Sequence, residues 1–324
     1  MRQKVLITEE IHESGIQYLA DRGYELVMGT GTAEETVCRE AADCCAILTR
    51  NAPITEKVLQ AAPDLRVISM HGVGVDIIDL EAAAKRGIYV VNAPGSNSRS
   101  VAEYTVGLML GLARNIPLYD REMRGGNSEI RKTVGLDLGG KTLGIVGMGN
   151  IGAKVAQIAS LGFGMRVVGY KRRVAAHIQD GIEWTDSLER VLREADFLSL
   201  HVPYTPATEK LIGEKELAMM KPGAFLINTA RGEVLDDGAL VRSLESGHLA
   251  GAALDVFTGA FPGKDHPLMR FPNVIITPHT AAFTTDSLQR MSLTAAVGVD
   301  EVLSDREPSH PVNEPEQSSC EKTA

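Results

Sequence analysis

The chain is predicted to be an α/β protein built on parallel, doubly wound sheets. Three observations predict it. Short β-branched runs alternate with helix-length stretches; the alternation runs in two series separated by the loop-rich stretch NAPGSNS (92–98); and the second series opens on an apolar strand that passes through a glycine-rich turn into a helix.

In the first series KVLIT (4–8) reads as a strand and IHESGIQYLADRG (11–23) as a helix closed by Gly23. YELVM (24–28) and AILT (46–49) are strands, TEKVLQAA (55–62) a helix, RVISM (66–70) a strand, LEAAAKRG (80–87) a helix and IYVV (88–91) a strand. After the loop, SVAEYTVGLMLGLARNI (100–116) reads as one long apolar helix, central to a core or lying at an interface. In the second series the strands are 142–147, 165–170, 196–202, 224–229, 250–256 and 274–278. Helices are expected at 151–161, 186–194, 214–220 and 236–246, with a last one over 285–303. The polar end, 314–324, is expected to be a disordered tail.

With 324 residues the chain can form two domains with buried cores. A net charge of −9 argues against a general nucleic-acid or membrane-surface role. No apolar run approaches the roughly 18 residues of a membrane helix. The N-terminus turns acidic at once, so no signal peptide is expected. Cys38, Cys44, Cys45 and Cys320 form no metal-binding spacing and read as thiols in a reducing cytoplasm. No metal site is expected.

Gly147, Gly149 and Gly152 form GxGxxG between a strand and a helix, with Asn150 and Ile151 inside the turn. This context marks a dinucleotide site: one glycine for the turn, one for close approach of the pyrophosphate, one for helix–strand packing, and a helix N-terminus for the phosphates. The next strand of such a site usually ends in an acid that holds the ribose hydroxyls, but here VVGYKRR ends in Lys171, Arg172 and Arg173. Cations there attract a 2′-phosphate, so NADP is favoured, with NAD possible. Further on, Arg231, Asp255 and His279 each follow a strand, where the ligand crevice of an open α/β sheet lies. An arginine for a carboxylate and a histidine for proton transfer suit hydride-transfer chemistry.

The stretches HGVGVDIIDL (71–80), NSRSVAEYTVGLML (97–110), GKTLGIVGMGNIG (140–152), HVPYTPAT (201–208), NTARGEVLD (228–236) and TPHTAA (277–282) together resemble the D-isomer-specific 2-hydroxyacid dehydrogenases, the family of phosphoglycerate dehydrogenase and glyoxylate/hydroxypyruvate reductase. The resemblance implies a Rossmann-like nucleotide domain, 100–285, inserted into a flavodoxin-like substrate domain, 1–99 plus 286–313. It implies that Arg231 orients the substrate and His279 is the general acid/base. It places Asp255 near the nicotinamide amide, and Thr229, Ala230, His201, Pro203 and Thr208 along the cofactor. Gly72, Val73 and Gly74 match the loop whose amides hold a substrate carboxylate, with His71 beside it, and Arg50 is expected either to face the substrate cleft or to form a surface salt bridge. The family is generally a homodimer through its nucleotide domains. Two departures stand out. Ala260 occupies the position of the glutamate that pairs with the catalytic histidine, so His279 should hold its proton less tightly, and turnover should be slow or rely on another acid or a water. Met70 stands where phosphoglycerate-type members often carry a cation, which favours a small, unphosphorylated 2-keto acid. The expected function is therefore an NADPH-preferring reductase of the glyoxylate/hydroxypyruvate type. An NAD-linked phosphoglycerate dehydrogenase is one alternative; a catalytically impaired NADP-binding sensor is another.

Overall fold

The computed structural model describes residues 3–173, 177–179, 181–259 and 261–316. Ala260, Cys320 and the tail from Gln317 onward lie outside them. The chain divides into two compact units, Met1–Asn97 with Phe283–Ala324, and Ser98–Ala282.

The first unit opens with β1 (Lys4–Ile7), α1 (Glu13–Asp21), β2 (Glu25–Met28), α2 (Glu34–Glu40), β3 (Ala46–Thr49), α3 (Glu56–Ala61), β4 (Val67–Met70), α4 (Leu80–Lys85) and β5 (Tyr89–Val91). Its five strands are parallel in the order β2-β1-β3-β4-β5, the flavodoxin-like order. Side chains alternate across the sheet. Leu6, Ile47 and Ile68 pack with Val37, Leu59 and Ala83 of α2, α3 and α4. Val5, Ile7 and Leu48 point the other way, into a core shared with Leu19 of α1. Buried on both faces, these strands read as continuous apolar runs.

The second unit begins with α5 (Ser98–Ala113) and α6 (Ile116–Arg124). The single helix expected over 100–116 ends at Ala113 instead. Asn115 takes the left-handed conformation at φ 55° and Pro117 stands in the first turn of the new helix. Asparagine tolerates that conformation and proline suits a helix start, but Ile116 and Leu118 carry the apolar pattern across the break and hide it. There follow β6 (Thr142–Val146), α7 (Asn150–Phe163), β7 (Arg166–Tyr170), β8 (His177–Gln179), β9 (Ile182–Thr185), α8 (Leu188–Glu194), β10 (Phe197–Leu200), α9 (Glu214–Met219), β11 (Ala224–Asn228), α10 (Asp237–Glu245), β12 (Leu249–Leu254) and β13 (Val274–Ile276). The sheet order is β13-β12-β11-β10-β6-β7-β9-β8, parallel except for β8 against β9. The sequence does not announce that edge hairpin, because its strands are too short to show a period. Leu143, Ile145 and Ile227 face α5 and α7, while Val146, Leu198 and Leu226 face α8 to α10.

The chain returns to the first unit through α11 (Thr285–Leu303), whose Ala295, Ala296 and Val299 complete the core beside α1. Beyond it Asn313 clips the edge of β5: its Oδ1 accepts from Val90 N at 2.7 Å and its Nδ2 donates to Ile88 O at 2.9 Å. Glu316 N donates to Ala84 O at 2.8 Å, so the start of the expected disordered tail is attached.

Candidate active site

In the second unit the sheet order reverses at β6, between β7 and β10, and ligands of open α/β sheets bind beyond the carboxyl ends at such a point. The glycine turn lies there. Gly147 has φ 104°, and a Cβ on it would stand 2.5 Å from His201 O. A Cβ on Gly152 would stand 2.1 Å from Gly147 O, so only glycine lets α7 start this close to β6. Gly149 is the N-cap of α7, and a Cβ there would meet nothing within 4 Å. A tight turn, open space at the middle glycine and the unpaired first amides of a helix fit a pyrophosphate.

The neighbouring loop follows β10. His201 N donates to Val146 O at 2.7 Å, binding the loop to the glycine strand. His201 Nε2 lies 2.8 Å from Ser199 Oγ, and burial pushes the imidazole down to about 3, so it is neutral. Thr208, expected along the cofactor, staples its own loop: its hydroxyl donates to Pro203 O at 2.7 Å and accepts from Thr205 N at 2.8 Å. After β7, Lys171, Arg172 and Arg173 are all exposed. Lys171 Nζ lies 5.8 Å from the ring centre of Trp184, which stacks on His177 at 5.6 Å. Sequence reasoning missed Trp184 because only the β7–β9 register, Gly169 opposite Trp184, brings it to this corner.

Strands β11, β12 and β13 lie side by side and carry Arg231, Asp255 and His279 just past their ends. Asn228 shapes the first turn: its Oδ1 accepts from Ala230 N at 3.0 Å and its Nδ2 donates to Arg231 O at 2.9 Å. Thr229 is buried, its hydroxyl 3.0 Å from that of Thr105. Asp255 has no exposed surface. Its carboxylate accepts from Thr277 Oγ1 at 2.6 Å, Thr280 N at 3.0 Å and Ala281 N at 2.9 Å. These bonds hold the loop around His279, whose φ is 54°. The resemblance puts Asp255 near the nicotinamide amide, and in the structure its oxygens fix the histidine loop. Ala260 lies outside the described residues.

In the first unit Arg50 follows β3 and the loop 71–74 follows β4. Arg50 lies over the Phe283 ring, 4.4 Å from its centre. His71 is 3% exposed and neither ring nitrogen has a partner among the described residues. Burial first, and the Arg50 charge second, push its imidazole down to about 4. Much of the loop's backbone is occupied. His71 N donates to Thr49 O and Gly72 N to Met70 O, each at 2.8 Å. Gly72 O accepts from Ala93 N at 2.7 Å and Val73 O from Asn92 Nδ2 at 2.7 Å. Of the three amides of Gly72–Gly74 expected to hold a carboxylate, that of Gly72 is therefore spent on the sheet end, as is the amide of His71 before it. The amides of Val73 and Gly74 have no acceptor among the described residues and are the pair that can form an anion nest.

Residues 106–281 match the family described as D-isomer specific 2-hydroxyacid dehydrogenase, NAD binding domain. The D-3-phosphoglycerate dehydrogenase of Methanocaldococcus jannaschii is 40% identical over 303 residues, 93% of this chain and 57% of that protein. The chain thus spans little more than half the length of that relative. The glyoxylate reductase of Korarchaeum cryptofilum is 39% identical over 302 residues, 90% of each chain. Among solved structures, the NADPH-dependent glyoxylate/hydroxypyruvate reductase of Sinorhizobium meliloti, in complex with NADP and malonate, has a TM-score of 0.86 at 29% identity, covering 97% of this chain and 98% of that one. On the motifs, the two sheets and these matches, the chain belongs to the D-isomer specific 2-hydroxyacid dehydrogenase family.

Proposed function

We propose that the chain is an NADPH-preferring reductase of a small, unphosphorylated 2-keto acid of the glyoxylate or hydroxypyruvate type. The observation that carries the cofactor preference is the exposed run Lys171, Arg172 and Arg173 at the end of β7, where an acid would repel a 2′-phosphate. A nicotinamide held at the glycine turn would supply the hydride for reduction of the carbonyl. His279 delivers a proton to the carbonyl oxygen, completing the 2-hydroxy acid. Arg231 stabilises the negative charge that grows on that oxygen. Asp255 keeps the His279 loop in place through the transfer. Arg50 and the amides of Val73 and Gly74 bind the substrate carboxylate. Ala260 stands where the family's glutamate pairs with the catalytic histidine, so the proton transfer is slow or draws on another acid or a water.

Exposed Ile116, Met123 and Val134 on the segment around α6 support a homodimer formed through the second unit.

The test is a matrix of glyoxylate, hydroxypyruvate and phosphohydroxypyruvate against NADPH and NADH. NADPH is expected to win with the two small acids, and Lys171→Glu should cut that preference by about tenfold, the loss of one charge-assisted phosphate contact. A preference for NADH and phosphohydroxypyruvate would identify a phosphoglycerate dehydrogenase instead, the activity named for the 40%-identical relative.

A further inference from the structure

The first unit contains an acid that the reaction does not use. Glu9 lies two residues past β1, as Arg50 follows β3, and the two strands are paired with Ile7 opposite Leu48. In the order β2-β1-β3, the sheet reverses between β1 and β3, so both residues flank the crevice of this sheet. One oxygen of Glu9, Oε2, accepts from three consecutive amides: Arg50 N at 3.2 Å, Asn51 N at 2.7 Å and Ala52 N at 3.2 Å. The Thr8 hydroxyl donates to the same oxygen at 3.2 Å, and Asn51 Nδ2 donates to Oε1 at 2.7 Å. Three successive amides turned to one point form an anion nest, here filled by the chain's own carboxylate. Burial works to raise the Glu9 carboxyl, but the bonds from Asn51, Ala52 and Arg50 outweigh it and hold the group below the ordinary carboxylate range.

We infer that Glu9 is a positioning residue for Arg50, fixing the 50–52 backbone so that the guanidinium stays over Phe283 with its edge available to a substrate carboxylate. Among the described residues no carboxylate pairs with that guanidinium, so its charge is left for a ligand. A guanidinium is planar, and one held over a ring face can present two N–H groups side by side, the geometry of a bidentate carboxylate contact. Without the clamp, three amides lose their acceptor and residues 50–52 gain backbone freedom. Arg50 must then be ordered at the substrate's expense.

The inference rests on the reading that Arg50 binds the substrate carboxylate, and the experiment separates the two. Malonate, an unreactive dicarboxylate, is titrated by calorimetry into the NADPH-loaded protein, alongside glyoxylate KM and kcat. Arg50→Ala should weaken malonate binding at least about tenfold. Glu9→Ala should weaken malonate and raise KM by about the same factor, with kcat within about threefold and NADPH affinity unchanged. Glu9→Gln keeps one acceptor oxygen for the amides and should lie between; it carries the test should the alanine variant fail to fold. The double variant should be no weaker than Arg50→Ala alone. If Arg50→Ala leaves malonate binding intact, the substrate reading of Arg50 fails. If Arg50→Ala weakens it but the Glu9 variants do not, or if the two losses add in full, the positioning role is overturned.

Discussion

His71 shows how a single side chain can be placed against its own chemistry. Its imidazole is held neutral by burial and by the Arg50 charge, with a folded value of about 4 against an ordinary 6.5. A base whose folded value is depressed contributes stability that is intact above the unfolded value and lost as pH falls through the folded one. Acidification from about pH 6.5 to 4 should therefore lower the melting temperature. His71→Leu should flatten that slope and leave stability at pH 7 equal or higher, because an apolar group replaces a buried ring whose nitrogens have no partner among the described residues. Melts of both proteins across that range check it; an unchanged slope would show that His71 does not supply it. At this scale the sequence is informative about which residues matter and less so about how they work. Arg231, His279 and the glycines stand past strands where motif spacing puts them, because a turn's needs are local. Thr208, Thr229 and Asp255 are expected beside the cofactor, and the structure adds loop and helix hydrogen-bond partners for them that motif spacing does not show.

At the scale of elements, the turn from β6 into α7 depends on the absence of a side chain. Gly152→Ala would place a methyl 2.1 Å from Gly147 O, so the backbone must move. We expect a loss of about 1–3 kcal/mol in stability together with weakened NADPH binding, read by melting and by cofactor fluorescence. Retained affinity with lowered stability would show that the turn can relax without opening the phosphate site. Most strands and helices are legible because burial on two faces makes parallel strands uniformly apolar. The α5–α6 break and the β8–β9 hairpin are not. The first is hidden by apolar residues on both sides of Asn115, and the second consists of strands of three and four residues.

At the scale of the molecule, the first unit is assembled from the two ends of the chain. Asp300 on α11 is the tie. It is 5% exposed and accepts from Tyr24 Oη at 2.9 Å, Tyr18 Oη at 3.3 Å and Arg22 Nε at 3.2 Å, with Arg306 at 2.5 Å. Asp300→Leu should cost about 2 kcal/mol, since several donors lose one charged acceptor. The loss should appear in urea unfolding followed by circular dichroism, because the chain's one tryptophan, Trp184, lies in the other unit. An unchanged midpoint would mean that apolar packing of α1 on α11 suffices. By itself the sequence determined the α/β class, the glycine turn, the cationic run after β7 and the family, since all of these are written in short-range patterns of apolar period, backbone freedom and charge. Only the tertiary structure decided that Glu9 grips the loop of Arg50, 41 residues away, and that Asp255 grips the loop of His279, 25 residues on from it at Thr280. Such bonds exist because parallel pairing brings distant strand ends together, and no local pattern encodes that proximity.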